Sequence, residues 1–194
     1  TNYGKGNISK ETVFESNLHF PTHVINQLLT NNLCRRIINI DTLLPDNIST
    51  YAESKSLFRE FLIKTASKHM TIINLKSDMF FGFKQHSDQF VSNLIHTFLQ
   101  KKPFVKLTFG EQYRYVIHVQ DYLNIIDILY QHSDLNKLGY FSFDVIPDTS
   151  IQVKELVLLI KNITSNTTTE CQFGSIPYRE NELFKSIGNN DHLK

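Results

Sequence analysis

The sequence predicts an α/β protein with a parallel sheet covered by helices, followed by a smaller mixed α/β lobe. The first sign is alternation. Over residues 10–75, segments with helical spacing of apolar residues alternate with short apolar runs in the order helix, strand, helix, strand. The second is the character of those runs. Arg35–Ile40 and Met70–Leu75 read as apolar on both faces, as strands of a sheet covered by helices require. The third is a change of pattern after residue 82, where shorter strands and amphipathic helices mix. The expected division is 1–82 and 83–194, with strands of the second part returning to the sheet.

Residues 10–33 carry Val13, Phe14, Leu18, Val24, Ile25, Leu28 and Leu29 at helical spacing, with Ser9 as the N-cap. Pro21 lies inside this pattern and should bend or split the helix. A loop with Pro45 and Asp46 follows the first strand, and helical periodicity returns over 51–68 through Leu57, Phe58, Phe61 and Leu62. In such sheets ligands sit beyond the carboxyl ends of the strands, which here are Asp41–Leu44 and Lys76–Phe83. Later helices are expected at 88–101, 121–131 and 151–163. Later strands are expected at 105–108, 114–119 (with Gly110 in the turn before it), 140–145 and 169–173.

Composition removes several function classes. The chain of 194 residues is 41% hydrophobic with 15 Phe, enough for a sizeable core. A formal charge of +1 offers no electrostatic attraction for nucleic acid. No apolar run is long enough to span a membrane, and the first residues do not resemble a signal peptide. Cys34 and Cys171 are isolated, which fits reduced thiols and a cytoplasmic setting. Four Asn-x-Ser/Thr triplets, at Asn7, Asn47, Asn162 and Asn166, are expected by chance in so Asn-rich a chain. His69, His86, His118 and His132 show no metal-ligand spacing, so no metal site is expected. The lone G-x-G, Gly4-Lys5-Gly6, lacks the third glycine, the preceding strand and the following helix of a phosphate-binding turn.

One spacing carries chemistry. Tyr51 and Lys55 are four apart at the start of a helix and so share a face. A phenol with an ordinary pKa near 10 is a poor acid–base group at neutral pH. A neighbouring ammonium stabilises the phenolate and makes it useful.

Ordered motifs give this pair a context. TNYGK resembles the end of a fourth sheet strand, and ESNLHFPTHVINQL the long helix after it. INIDTLLP precedes YAESKSLFREFL, INLKSDMFFG follows, LTFGEQYRYVIHVQD resembles a GEQxRDFxxVDD segment, and FGSIPYRENEL carries a late Arg-x-x-Glu. In this order they resemble the extended short-chain dehydrogenase/reductase superfamily of NAD-dependent nucleotide-sugar epimerases, dehydratases and reductases. Within it they are nearest the CDP-deoxyhexose synthases of O-antigen and surface polysaccharide synthesis. The resemblance covers essentially the whole chain. It implies a Rossmann-like sheet whose first βαβ unit, roughly the first 70–80 residues of a relative, is missing, together with a last helix.

The resemblance also implies roles. Tyr51 matches the catalytic acid/base, and Lys55 the residue that lowers its pKa and binds the nicotinamide ribose of NAD or NADP; Asn39 falls in the cofactor-binding segment. The catalytic hydroxyl of relatives aligns with Ile40, so Thr42, two residues on, is its substitute if the loop is shifted. Arg114 and Arg179 match diphosphate-binding arginines, Glu182 an acid for the nucleotide ribose, and Asn93 a residue of the sugar-nucleotide pocket. Tyr115 and Gln120 stand where relatives carry Asp. The implied partner is a nucleotide sugar, and the implied assembly is a homodimer through the helices at about 10–33 and 51–68. The same departures leave a second expectation open, a non-catalytic relative that binds a sugar nucleotide or a partner.

Overall fold

The structure, a computed structural model, describes residues 8–132, 135 and 137–193, without the side chains of 67–69. The TNYGK segment and Gly4-Lys5-Gly6 lie outside the described residues, as does the side chain of His69. The chain forms two compact units. One comprises the residues up to 77, with 124–145 and 188–194; the other comprises 78–123 and 146–187.

The first unit opens with α1 (Lys10–Phe14), where the Ser9 hydroxyl accepts the Thr12 N–H at 3.2 Å and caps the helix. A π-helical turn, Glu15–His19, joins it to α2 (Phe20–Thr30). Pro21 has no N–H to give and its ring excludes the carbonyl one turn back. The chain meets this with a widened turn, in which the Phe20 N–H reaches the Glu15 carbonyl, so the helical run continues. It stops at Thr30, short of residue 33. Asn32 takes the left-handed conformation (φ 54°), and the Leu33 N–H returns to the Leu28 carbonyl at 2.9 Å.

The sheet of this unit is parallel. β1 (Arg36–Thr42) pairs with β2 (Thr71–Ser77), which pairs with β7 (Gly139–Asp144), in the order β1-β2-β7. Between β1 and β2 runs α3 (Thr50–His69), capped by the Ser49 hydroxyl on the Ala52 N–H at 3.2 Å. The register sets three rows on the sheet face toward α3. Ile37, Ile72 and Tyr140 form an apolar row, Asn39, Asn74 and Ser142 a polar one, and Asp41, Lys76 and Asp144 a charged one at the carboxyl ends. Phe58, Leu62 and Ala66 of α3 and Ile25 of α2 pack with the apolar row. Thus the core lies at the amino-terminal side of the strands and the chemistry-bearing groups at the other end.

The expectation of two strands buried on both faces holds for β2 and fails for β1. Among the described residues β1 has β2 as its sole partner, and Ile40 is 49% exposed on the face away from α3. An edge strand lacks the neighbour whose side chains would cover that face.

The second unit is built on α4 (Phe90–Leu99) and α6 (Val153–Ile163). Val91, Leu94 and Phe98 meet Leu156, Val157 and Ile160 around Leu107. Its strands are short: β3 (Met79–Phe81) beside β6 (Val116–His118), β4 (Phe104–Leu107) beside β9 (Glu170–Phe173), and β5 (Tyr113–Arg114) antiparallel to β8 (Ile151–Gln152). The segment 114–119, expected as one strand, is thus two with different partners, and α5 begins at Val119 and runs to Gln131. Gly110 has φ +74°, and a Cβ there would lie 2.9 Å from the Lys154 amide nitrogen, so glycine is required twice over. Asn166, one of the glycosylation-like triplets, is buried and donates to the Phe98 carbonyl at 2.6 Å.

Leu62 is fully buried and its neighbour Ile63 is 45% exposed. Urea unfolding should therefore show Leu62→Ala destabilising by about 2–5 kcal/mol and Ile63→Ala by less than about 1 kcal/mol.

Candidate active site

In the first unit, α3 carries Tyr51, Lys55 and Arg59 at successive four-residue steps, and all three fall on one stripe of the helix. Tyr51 sits in the first turn, at the positive end of the helix dipole. Its carbonyl accepts the Ser54 hydroxyl at 2.7 Å. Lys55 is 5% exposed, and its Nζ donates to the Ile40 carbonyl at the carboxyl end of β1 at 2.7 Å. Burial pushes the Lys55 ammonium below its ordinary pKa; Asp41 opposes the shift and Arg59 adds to it.

Asp41 is the hub of this end of the sheet. Its buried carboxylate accepts Arg59 Nε at 2.6 Å and Asn74 Nδ2 at 3.0 Å on one oxygen. The other oxygen accepts the Thr42 N–H at 2.8 Å and Arg59 Nη2 at 3.3 Å. Asn39 donates to Asn74 Oδ1 at 2.6 Å, so its amide is engaged within the sheet. Thr42 is buried as well, and its hydroxyl accepts the Leu44 N–H at 3.2 Å, which turns the chain after β1. Ser77, opposite Thr42 in the register, has a buried hydroxyl with no hydrogen-bond partner among the described residues.

The second unit holds a separate cavity of about 440 Å³. Lys106, Arg114 and Arg179 give it three cations; Glu182, Thr108 and Gln112 add polar groups, and Met79, Phe90 and Phe173 are among its apolar walls. Arg114 of β5 pairs through Nη2 with Glu182 Oε1 at 2.9 Å and holds the Tyr113 carbonyl through Nη1 at 2.9 Å. A turn closed by the Glu182 N–H on the Arg179 carbonyl brings Arg179 and Glu182 to the same cavity. Arg179 is exposed and leaves a planar fork of donors toward solvent. Asn93 lies on an exposed position of α4 and is not among the lining residues, whereas Phe90 of the same helix is. Near Arg114, Asp78 accepts the Tyr115 N–H at 2.9 Å, and burial raises its pKa against the pull of that amide and of Arg114.

Of the residues expected from the sequence, Lys55, Asn39 and Thr42 thus gather toward the carboxyl end of β1, with Tyr51 one helical turn before Lys55, and Arg114, Arg179 and Glu182 gather at the cavity of the other unit. Asn74, Arg59, Asp78, Lys106 and Gln112 were not expected. Asn74 had a signal in the sequence, an amide inside an otherwise apolar strand; Arg59 had one in its four-residue step from Lys55. Among the described residues no group of His, Cys, Asp and Glu is placed to hold a metal ion, and no helix is long and apolar enough to cross a membrane.

Residues 35–140, more than half of the chain and including both β1 and α3, match the NAD dependent epimerase/dehydratase family. The chain belongs to that family. It is 26% identical over 147 residues to the CDP-abequose synthase of Salmonella typhimurium, a match covering 74% of this chain and 48% of the relative. Solved structures share the fold. A dTDP-glucose 4,6-dehydratase of Streptomyces venezuelae with NAD bound superimposes with a TM-score of 0.81 at 11% identity, covering 100% of this chain and 63% of that one. The UDP-glucose 4-epimerase of Thermus thermophilus in complex with NAD gives 0.76 at 16% identity, covering 93% and 63%. The chain spans about half the length of the curated relative it matches. The family accounts for the α/β architecture and for the Rossmann-like parallel sheet.

The Asp78 environment sets a pH dependence. Its folded pKa lies above the ordinary 3.8, so between those two values the native state binds more protons than the unfolded one. Its ionised form is a cost at neutral pH that is relieved as pH falls through the folded pKa. Urea unfolding of wild type and Asp78→Asn should therefore show the wild type gaining stability relative to the variant as pH falls from about 7 toward 4.

Proposed function

We propose that this chain carries the acid–base pair and the sugar-nucleotide pocket of an NAD(P)-dependent nucleotide-sugar epimerase, dehydratase or 4-keto reductase. The observation that supports it most is Tyr51 in the first turn of α3 with Lys55 anchored one turn later on the Ile40 carbonyl, in a chain of the epimerase/dehydratase family.

In this reading the Tyr51 hydroxyl takes or gives the proton of the sugar hydroxyl that changes oxidation state. Lys55 stabilises the phenolate form by charge, and the amino end of α3 adds to that effect. A bound nicotinamide supplies or accepts the hydride. The residues present fit the ribose end of such a cofactor: an ammonium with two further donors beyond its bond to Ile40, and the Ser77 hydroxyl at the neighbouring strand end, unpartnered among the described residues. The cations Lys106, Arg114 and Arg179 suit a diphosphate, and Glu182, held by Arg114, suits a ribose hydroxyl. A homodimer is supported by Phe20 and Val24 of α2 and Leu57 and Ile63 of α3, which are apolar and exposed.

A specific observation favours a second reading, a family member that binds sugar nucleotides without turnover. Ile40 offers no hydroxyl where the resemblance places one, and the Thr42 hydroxyl, which accepts the Leu44 N–H and keeps its own proton to donate, belongs to a residue only 5% exposed. A missing donor of that kind costs about 3 kcal/mol of transition-state stabilisation.

In the full protein, Tyr51→Phe should lower turnover of a nucleoside diphosphate sugar by at least about 100-fold, with cofactor and sugar-nucleotide binding by calorimetry nearly unchanged. Retained turnover removes Tyr51 from this role. Tight sugar-nucleotide binding by a wild type that turns nothing over establishes the second reading. Arg179→Ala should weaken sugar-nucleotide binding by about 10-fold or more, the loss of one charge-assisted contact.

A further inference from the structure

We propose that the buried Asp41–Arg59 pair is a positioning device that holds the Lys55-bearing face of α3 against the carboxyl end of β1. The inference rests on the reading of Tyr51 and Lys55 as the acid–base pair, and it names the groups that set their placement.

The geometry is a two-point attachment. Two consecutive residues of β1 are tied to two successive turns of α3. The Ile40 carbonyl takes Lys55 Nζ at 2.7 Å, and the Asp41 carboxylate takes Arg59 Nε at 2.6 Å and Nη2 at 3.3 Å. Turning α3 by one residue, about 100°, breaks both. The Asp41 side chain is 0% exposed and that of Arg59 is 21% exposed. An ion pair so deeply placed is a weak source of stability compared with an apolar pair of the same volume, because desolvation offsets the attraction. What it provides is direction, since a guanidinium fork on a carboxylate accepts few orientations. Asn74 fixes the carboxylate from the adjacent strand, and Asn39 fixes Asn74, so the acceptor cannot swing to follow a displaced helix.

The pair also sets the charge around Lys55. The groups facing this corner are Asp41 of β1, Arg59 of α3, Asp46 of the loop after β1 (3.5 Å from Arg59 Nη1) and Tyr140 of β7, with the Lys76–Asp144 pair in the same row of the sheet as Asp41. Asp41 attracts the ammonium and Arg59 repels it. Removing either member must then move the Lys55 titration in opposite directions. Those opposite signs follow from charge alone, so the positioning role is read from Arg59→Lys, which keeps the charge and loses the fork.

The test is the pH titration of the Lys55 Cε resonance in the full protein labelled with ¹³C-lysine, assigned by Lys55→Arg. Arg59→Met should raise the midpoint and Asp41→Asn lower it, each by about half a pH unit or more. Arg59→Lys, which keeps the charge and loses the fork, should leave the midpoint near wild type but shift the Ile40 carbonyl ¹³C resonance, which reports the Lys55 bond. Arg59 is partly exposed at the helix surface, so its variants report even where Asp41→Asn does not fold. An Arg59→Met midpoint that is unmoved or lowered, or an Ile40 carbonyl resonance unmoved in Arg59→Lys, overturns the proposal. Activity of Tyr51→Phe is scored separately. Opposite shifts with an active Tyr51→Phe sustain the positioning device and sink the catalytic reading. Unmoved midpoints with an inactive Tyr51→Phe do the reverse.

Discussion

The attachment of α3 to the end of β1 is the constraint on which the first unit depends. The strand ends in a sequence that is apolar until Asn39 and then turns polar within two residues. The helix that returns over it is apolar in its later turns and charged in its earlier ones. Packing of Phe58, Leu62 and Ala66 on Ile37 and Ile72 brings the helix down on the sheet. That hydrophobic contact is non-directional. The directional part comes from Lys55 on the Ile40 carbonyl and Arg59 on Asp41. Burial supplies the driving force and the polar contacts select one orientation. As a result, a tyrosine in the first helical turn stands next to a lysine whose ammonium is fixed at the strand end.

The second unit uses charge differently. Around its cavity an arginine, Arg114, is balanced by Glu182, while Lys106 and Arg179 carry no paired acid among the described residues. A pocket with surplus cations and apolar walls suits a ligand with an anionic middle and a flat or apolar end. Asp78, half-buried close to Arg114, tempers the local positive charge, and its contact with the Tyr115 amide holds the start of β6 beside β3.

Much of the architecture was legible in the sequence because it depends on short-range periodicity. The helices at 10–30, 50–69 and 153–163 and the strands at 36–42 and 71–77 announce themselves through spacing of three to four or through unbroken apolar runs. The Ser9 cap was readable for the same reason. What was not legible depends on partners distant in the chain. Nothing in INID distinguishes an edge strand from a central one, so the exposure of Ile40 came only with the sheet order. The expected strand at 114–119 divides because its two halves find different partners, β8 and β3. The effect of Pro21 was foreseen but its form, a π turn, was not, since the buried Asn17–Ser54 contact that sits in that turn spans 37 positions. The same holds at the site. Tyr51 and Lys55 share a helix face by spacing alone, whereas Asn39, Asn74, Asp41 and Arg59 become one network only through a register that sets Asn39 against Asn74.

The role proposed for this arrangement is hydride exchange between a nicotinamide and a sugar carbon. Isotope transfer tests it directly. The full protein would be incubated with a nucleoside diphosphate 4-keto sugar and reduced cofactor carrying deuterium at the transferring carbon, or with a nucleoside diphosphate sugar deuterated at carbon 4 and oxidised cofactor, with sugar and cofactor then examined by mass spectrometry. The account predicts deuterium gained by the keto sugar in the first mixture, or deuterium leaving carbon 4 in the second. Absence of any label movement in protein shown to bind both ligands would contradict it.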